Sequence, residues 1–273
     1  MTFLVVPEWQ GSSSSRALNI QTGAQALRQY LPRKRTRSID VPLEAGDALG
    51  TGARRLSSII KTHDLISQAL DEHDASGANE PLIVVGGDTA SAIAPIQHAA
   101  NSYGSDLRLL WFHASPCLEE PATSLRGDMN SMTLRVCLSA AIEDLAPGVA
   151  LSPSQVALIG CRNGDAEDLE QPESVAAYTK KLPADASTPV FLAVDLSVLD
   201  PSEFAAVDTP VPFGMTMEQL VTAVRTAHRS MHVVGAAITG FAPASEAEAD
   251  DWAGQLIELL GALSTPPPDR GRA

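Results

Sequence analysis

Aromatic residues are scarce, at 4% of the chain, so the core has to be built from Ala, Val, Leu and Ile rather than from large rings. Cysteine is scarcer still. Cys117, Cys137 and Cys161 are odd in number and show no paired spacing, which excludes a disulfide scaffold and points to a reducing, cytoplasmic setting. Basic charge is also short. Nineteen Lys and Arg face 33 Asp and Glu, a net charge of −14, and this argues against a nucleic acid or an anionic membrane surface as partner. The run Arg33-Lys34-Arg35-Thr36-Arg37 goes against the trend and reads as a solvated loop before a strand. No apolar run is long enough to span a membrane; the first, Phe3–Val6, reads as a strand. Repeats and linkers rich enough to divide the chain are missing too. One domain over residues 1–263 is therefore expected, with a disordered, proline-rich tail over 264–273.

What is present is a regular alternation of strand-like runs and helical spacing. Strands are expected at Phe3–Val6, Arg37–Val41, Pro81–Val85, Leu107–Phe112, Gln155–Ile159, Val190–Val194 and His232–Ile238. Helices are expected at Ala17–Leu31, Ala53–Leu70, Ser91–Tyr103, Pro172–Leu182, Met215–His228 and Glu246–Leu260. Continuous apolar strands between helices predict a three-layer α/β/α domain around a mostly parallel sheet.

In such sheets ligands bind beyond the carboxyl ends of the strands. The polar clusters gather at those ends: Asp88 and Thr89, His113 to Cys117, Arg162 to Asp165, Asp195 to Asp200, and Thr239 with Gly240. The central stretch is Phe191-Leu-Ala-Val-Asp195-Leu-Ser197-Val-Leu-Asp200-Pro201, an apolar strand ending in a single acid. Gly86-Gly87 and Asp200-Pro201 read as turn formers. Gly11-Ser-Ser-Ser-Ser15 lacks the Lys and the spacing of a phosphate loop and reads as a flexible connection. His228 and His232 straddle a helix end and a strand start at the opposite edge, and read as surface or core residues.

Taken in order, these strand ends resemble the arginase–agmatinase–formiminoglutamase family. Gly86-Gly87-Asp88-Thr89 is similar to that family's Gly-Gly-Asp-His, and Trp111-Phe-His113-Ala-Ser115-Pro-Cys117 to its Asp-Ala-His-x-Asp. Asp195-Leu-Ser197-Val-Leu-Asp200-Pro201 resembles its Asp-x-Asp-x-Leu-Asp-Pro, while Asn130-Ser-Met132 falls where the family has His-Gly-Met. Thr209-Pro210 resembles its Gly-Thr-Pro. The resemblance runs from about Gly23 to Leu260. It implies a cleft where two carboxylate-bridged manganese ions hold a hydroxide that attacks a guanidinium carbon, and an oligomer of identical subunits.

The resemblance places the six metal-ligand positions on Thr89, His113, Ser115, Cys117, Asp195 and Ser197, and only Asp195 keeps the family's residue. The proton-shuttling His falls on Asn130, and the guanidinium-holding Glu on Gly240. One carboxylate, one imidazole and one thiol do not offset the mutual repulsion of two dications. No cofactor is expected, and dinuclear manganese least of all. His113, Cys117 and Asp195 are the residues for a single zinc or iron ion, if one binds. Without metal, His113 and Asp195 are expected to form a buried ion pair or hydrogen bond, with Cys117 a small core hydrophobe; a Cys117 nucleophile activated by His113 is the alternative, but residues four apart on a strand-to-loop segment seldom meet as a thiolate–imidazolium pair. Arg162 and Asp165 match the family's Gly-x-Arg loop, where either substrate recognition or loop bracing fits. Two functions follow as expectations: a ureohydrolase-like protein without dinuclear chemistry, in a structural, regulatory or small-molecule-binding role, or a hydrolase of a carbon–nitrogen bond using one metal or none.

Overall fold

Successive side chains of a strand point to opposite faces of a sheet, and here both faces are apolar. A computed structural model describes residues 1–78, 80–182 and 187–264. Its strands are β1 (Thr2–Val6), β2 (Thr36–Ser38), β3 (Leu82–Gly86), β4 (Arg108–Phe112), β5 (Val156–Ile159), β6 (Pro189–Asp195) and β7 (His232–Thr239). They form one sheet in the order β2-β1-β3-β7-β6-β4-β5, and every pairing is parallel.

The helices are α1 (Ala17–Arg28), α2 (Leu56–Ala75), α3 (Ile93–Tyr103), α4 (Thr133–Leu138), α5 (Val175–Thr179), α6 (Met217–Ser230) and α7 (Glu246–Leu263). Phe3, Val5, Ile83, Val85, Leu192 and Val194 pack with Leu27, Leu220, Val224, Leu256 and Leu259, so α1, α6 and α7 cover one face. Leu4, Val6, Val84, Leu109, Trp111 and Phe191 pack with Leu56, Ile59, Ile93, Ile96 and Leu134, so α2, α3 and α4 cover the other. This is the three-layer α/β/α arrangement that the alternation predicts.

The helix ends follow local chemistry. Thr216 and Gln219 form a reciprocal capping box at the start of α6, and Ser245 caps α7, whose first turn carries Glu246 and Glu248 toward the positive end of the helix dipole. Helix α2 runs five residues past the expected Leu70, because its last turn is polar and solvent-facing, and it stops where Gly77 takes a left-handed conformation, φ +71°. Helix α5 is shorter than the expected Pro172–Leu182. Its cap, Ser174, accepts from the Ala177 amide, so the helix starts at Val175, three residues after Pro172. Helix α4, six residues long, is too short to carry a periodic signal. Strand β2 ends at Ser38 rather than Val41.

The basic cluster is solvated as expected. Arg35 and Arg37 make exposed pairs with Glu80 and Glu72, contacts of little energetic weight. His228 is buried and His232 exposed. No helix among the described residues is long and apolar enough to cross a membrane. The expected tail, from residue 265 onward, lies outside the described residues.

The strand order has a direct consequence for the site. At the middle of the sheet the neighbours are β3, β7, β6 and β4, so the polar residues that follow these four strands meet on one rim.

Leu192 lies fully buried on central β6. Leu192→Ala is expected to destabilise the protein by about 2–5 kcal/mol through loss of transfer energy and an unfilled cavity, read as a lower midpoint in urea unfolding.

Candidate functional site

The site is built around the Asp195 carboxylate at the end of β6, which is 6% exposed. In the β6–β7 register Asp195 lies opposite Thr239, and the Thr239 hydroxyl donates to Oδ2 at 2.7 Å. Thr89, just past β3, donates its hydroxyl to the same oxygen at 2.9 Å. The Ser197 amide donates to Oδ1 at 2.9 Å. Gly240 follows Thr239 with φ +85°, and a Cβ there would lie 2.8 Å from Asp195 Oδ2, so the carboxylate occupies the space a side chain would need. Burial pushes the Asp195 carboxyl up, and the donors from Ser197 and Thr239 pull it back down, with His113 adding to them only when its ring is charged.

His113 follows β4. Its Nε2 lies 3.7 Å from Asp195 Oδ1, within ion-pair range but beyond a hydrogen bond. Two effects oppose each other here: a charged imidazole would help keep Asp195 ionised, yet burial lowers the His113 pKa more than Asp195 raises it. Geometry decides for the neutral ring. The Ser115 amide donates to Nδ1 at 2.8 Å, so that nitrogen carries no proton, and Trp111 stacks on the ring with centroids 5.5 Å apart. The two groups expected to form a buried ion pair or hydrogen bond are thus adjacent, and hydroxyl and amide donors complete the surroundings of Asp195. Cys117 does reach His113, with Sγ 3.6 Å from Nε2, because a left-handed turn at Cys117, φ +57°, folds the segment back and aims the Cys117 carbonyl at the amides of Leu134 and Arg135. The pair is not a thiolate–imidazolium pair. Burial and the Asp195 charge raise the Cys117 thiol well above its ordinary value, and its buried side chain packs in the apolar core as a small hydrophobe.

Ser115 accepts from the Asn163 side-chain amide at 3.2 Å, and the Ser197 hydroxyl lies 3.4 Å from both His113 Nδ1 and the Ala114 amide. A cavity of about 60 Å³ is bordered by Asp88, Thr89, His113, Ser115, Asn130, Asp195, Ser197, Asp208 and Gly240, so the sheet brings together seven of the eight expected positions; Cys117 lies beside it. Cys117 instead faces a larger neighbouring cavity of about 560 Å³, which Asn163 and Asp165 also border.

Arg162 does not face either cavity. Its guanidinium donates to the carbonyls of Gly160, Ser197, Val198, Leu199, Val211 and Pro212 at 2.6–3.2 Å. It therefore braces the loops after β5 and β6 against each other, through carbonyls rather than through Asp165, whose Oδ1 accepts from the Glu167 amide. Asp200 works as a turn former, accepting from the Ser202 amide and hydroxyl and from the Gly214 amide.

Sequence reasoning misses two groups of residues. One is the serine loop after β1, expected to be a flexible connection. Ser12 donates to Asp208 Oδ2 at 2.6 Å and Ser13 to Asp128 Oδ2 at 2.7 Å, so the loop is pinned over the site. The signal available was a run of hydroxyls at a strand end in a chain with many acids. The other is a pair of buried acids. Asp88 accepts from the amides of Gly11 and Ala90 at 2.6 and 3.0 Å, yet burial, with Asp208 and Asp195 nearby, pushes its pKa to about 7. Glu8 beside it is raised well above its ordinary value by burial and by Asp88. Its Oε2 accepts from the Ser91 hydroxyl while Oε1 has no partner.

A pair of dications needs several free carboxylate oxygens around it. Both oxygens of Asp195 are engaged, the Cys117 thiol resists ionisation, and Thr89, Ser115 and Ser197 supply only hydroxyls. Among the described residues no group of three or more His, Cys, Asp or Glu side chains is placed to hold a metal ion. The residues present do not fit a dinuclear manganese centre.

Comparison with known proteins agrees with this layout of strand ends. The model of the family described as "Arginase family" matches residues 8–259. An arginase of Staphylococcus aureus is 24% identical, the match covering 90% of this chain and 91% of the relative. One of Bacillus caldovelox is also 24% identical, covering 82% of each. Among solved structures, Entamoeba histolytica arginase in complex with L-ornithine superposes with a TM-score of 0.80 at 18% identity, covering 96% of both chains. Proclavaminate amidino hydrolase of Streptomyces clavuligerus gives 0.64 at 17% identity, over 96% of this chain and 91% of that one.

Two outcomes follow from the site. The folded state keeps Asp88 protonated over a range where the unfolded chain has lost that proton, so between pH 3.8 and about 7 stability falls as pH rises. Asp88→Asn should flatten that slope in denaturation curves recorded across the range. Arg162→Lys keeps the charge but loses the planar fork that reaches six carbonyls. It should destabilise the protein by roughly 1–3 kcal/mol and raise hydrogen exchange in the loops after β5 and β6.

Proposed function

We propose that this chain, which belongs to the arginase family, keeps the family's fold and cleft without dinuclear manganese chemistry and acts as a binding or regulatory protein. The observation that carries the reading is the state of Asp195. A carboxylate whose two oxygens are engaged by Thr89, Thr239 and Ser197 is stabilised in its charged form by protein donors, and the positions around it offer hydroxyls and a neutral imidazole. Asn130 has no titratable proton for a leaving group, and Gly240 has no carboxylate for a guanidinium. The relatives named arginase are hydrolases, and this reading separates the fold they share from the reaction they carry out. The family resemblance extends the proposal to an assembly of identical subunits.

A second reading has its own observation. His113 Nε2 lies 3.6 Å from Cys117 Sγ and 3.7 Å from Asp195 Oδ1; these residue types suit zinc or iron, and binding would require them to move from their present placement. On that reading the protein hydrolyses a carbon–nitrogen bond in a guanidino, amidino or amide compound with one metal or none.

Metal analysis of protein purified without added ions, combined with urea and ammonia assays on arginine, agmatine and related compounds with and without manganese, decides between them. The first reading expects well below one metal per chain and no product above the buffer control. Urea released from arginine or agmatine in the presence of manganese would overturn it. One zinc or iron per chain, abolished by Cys117→Ala, would establish the second.

A further inference from the structure

Among the described residues the most exposed aromatic side chain sits at a strained backbone position. Phe213 is 93% exposed and has φ +65°, a left-handed conformation that a bulky residue seldom adopts. A single exposed apolar side chain is ordinary; one held outward against strain is not. Its loop is fixed on both sides. Arg162 donates to the Val211 and Pro212 carbonyls at 2.6 and 2.8 Å, and the Gly214 amide donates to Asp200 Oδ2 at 3.0 Å. Pro210 and Pro212 set two further φ angles. The ring therefore stands out from the carboxyl-end rim as a preset knob. Acids flank it: Asp200 against Gly214, the exposed Glu203 that follows, and Glu218 in the first turn of α6. The Arg162 guanidinium is taken up by carbonyls.

A hollow of matching character lies at the opposite end of the sheet, where strands begin and helices end. A cavity of about 320 Å³ opens there between Phe3 on β1, Tyr30 and Leu31 after α1, and Ile257, Leu260 and Gly261 near the end of α7. Phe3, Leu31 and Leu260 are buried beneath it, and Ile257 forms a wall that is 48% exposed. Gly261 keeps that wall open, since a Cβ there would meet nothing within 4 Å. The basic cluster borders this hollow. Arg35 lines it and pairs with Glu80, while the exposed Arg33 and Lys34 make no ion pair with a described residue.

Copies of a chain with net charge −14 repel one another in most orientations. Setting the acidic end of one copy against the basic end of another is the favourable exception, and in that orientation knob and hollow face each other. Because they lie at opposite ends of one chain, the contact is head-to-tail rather than two-fold. We propose that this chain associates with a second copy of itself in this way, the Phe213 ring of one copy seated in the hollow of the next and its acidic loop against Arg33 and Lys34. The contact lies outside the Asp195 cleft and depends on neither functional reading above.

Sedimentation velocity of the full chain over rising concentration tests it, and the sedimentation coefficient is expected to rise with concentration. Phe213→Asn removes the ring and suits a left-handed φ. It should weaken association by about tenfold or more, as loss of a buried aromatic anchor does, without lowering the thermal midpoint. Gly261→Trp fills the hollow from its wall and should act as strongly; if it does not fold, Ile257→Lys on the same wall replaces it. Reversing both charges, Arg33→Glu with Lys34→Glu, should weaken association by a similar factor. The decisive arm mixes Phe213→Asn protein with Gly261→Trp protein. One keeps the hollow and the other the knob, so the mixture should form one-to-one pairs although neither makes the contact alone. A parent chain that stays monomeric, variants that associate as the parent does, or a mixture without pairs would overturn the proposal. So would a protein ending at Ser264 that associates where the full chain does not, which would assign the hollow to the chain's own C-terminal segment.

Discussion

The site depends on how a lone carboxylate is kept ionised beneath a layer of protein. A buried charge without compensation costs several kcal/mol even after relaxation, and hydrogen bonds to a charged group return roughly 1.5–3 kcal/mol each. Asp195 receives three of them, from Thr89 after β3, Thr239 on β7 and the amide of Ser197. Two neighbouring strands and the chain's own turn therefore converge on one group, and the parallel register of β6 and β7 sets one of the distances directly. Removing any donor leaves the charge exposed to the low dielectric around it. The three donors act as a unit.

The acids nearby are managed by a different route. Asp88 follows β3 and Glu8 follows β1, two and three strands from β6, both buried at least as deeply as Asp195, and like charges that close repel strongly. Asp88 shifts toward neutrality, its pKa near 7, and Glu8 is raised well above its ordinary value. Ionisation is thus confined to the position with the strongest donors, and the others stay protonated through much of the acid range. One rim of the sheet holds both solutions to the same electrostatic problem. Which one a carboxyl adopts follows from how many donors reach it and how far solvent is excluded.

Much of this was legible in the residues. The strand ends were readable because a parallel sheet buried on both faces writes continuous apolar runs, and polar clusters directly after Val85, Phe112 and Val194 had nowhere to go but the rim. The lone acid at Asp195 and the small residue at Gly240 were visible for the same reason. The serine loop was not, because Ser12 and Ser13 find their partners 196 and 115 residues away, and no local pattern encodes such a contact. The Cys117–His113 contact was missed for a backbone reason: a left-handed turn at a non-glycine residue is uncommon and leaves no mark on spacing. Arg162 was found, and bracing was one of the two roles open to it. Only the six carbonyls around the guanidinium distinguish bracing from recognition.

The substitutions around Asp195 are also physically coupled. A side chain at position 240 would meet the Asp195 oxygens in their present place, so the carboxylate can approach the backbone only because the residue there is glycine. Asp195 in turn lies there because Thr89 and Thr239 draw it in. A second acid at position 197 would stand beside an ionised carboxylate and a neutral imidazole, while the nearby Arg162 guanidinium is already committed to backbone carbonyls, that of Ser197 among them. Each position is therefore consistent with the others and inconsistent with a two-metal arrangement. The hydrogen bonds from Thr89, Thr239 and Ser197 thus interlock around Asp195 and fix the place of its carboxylate.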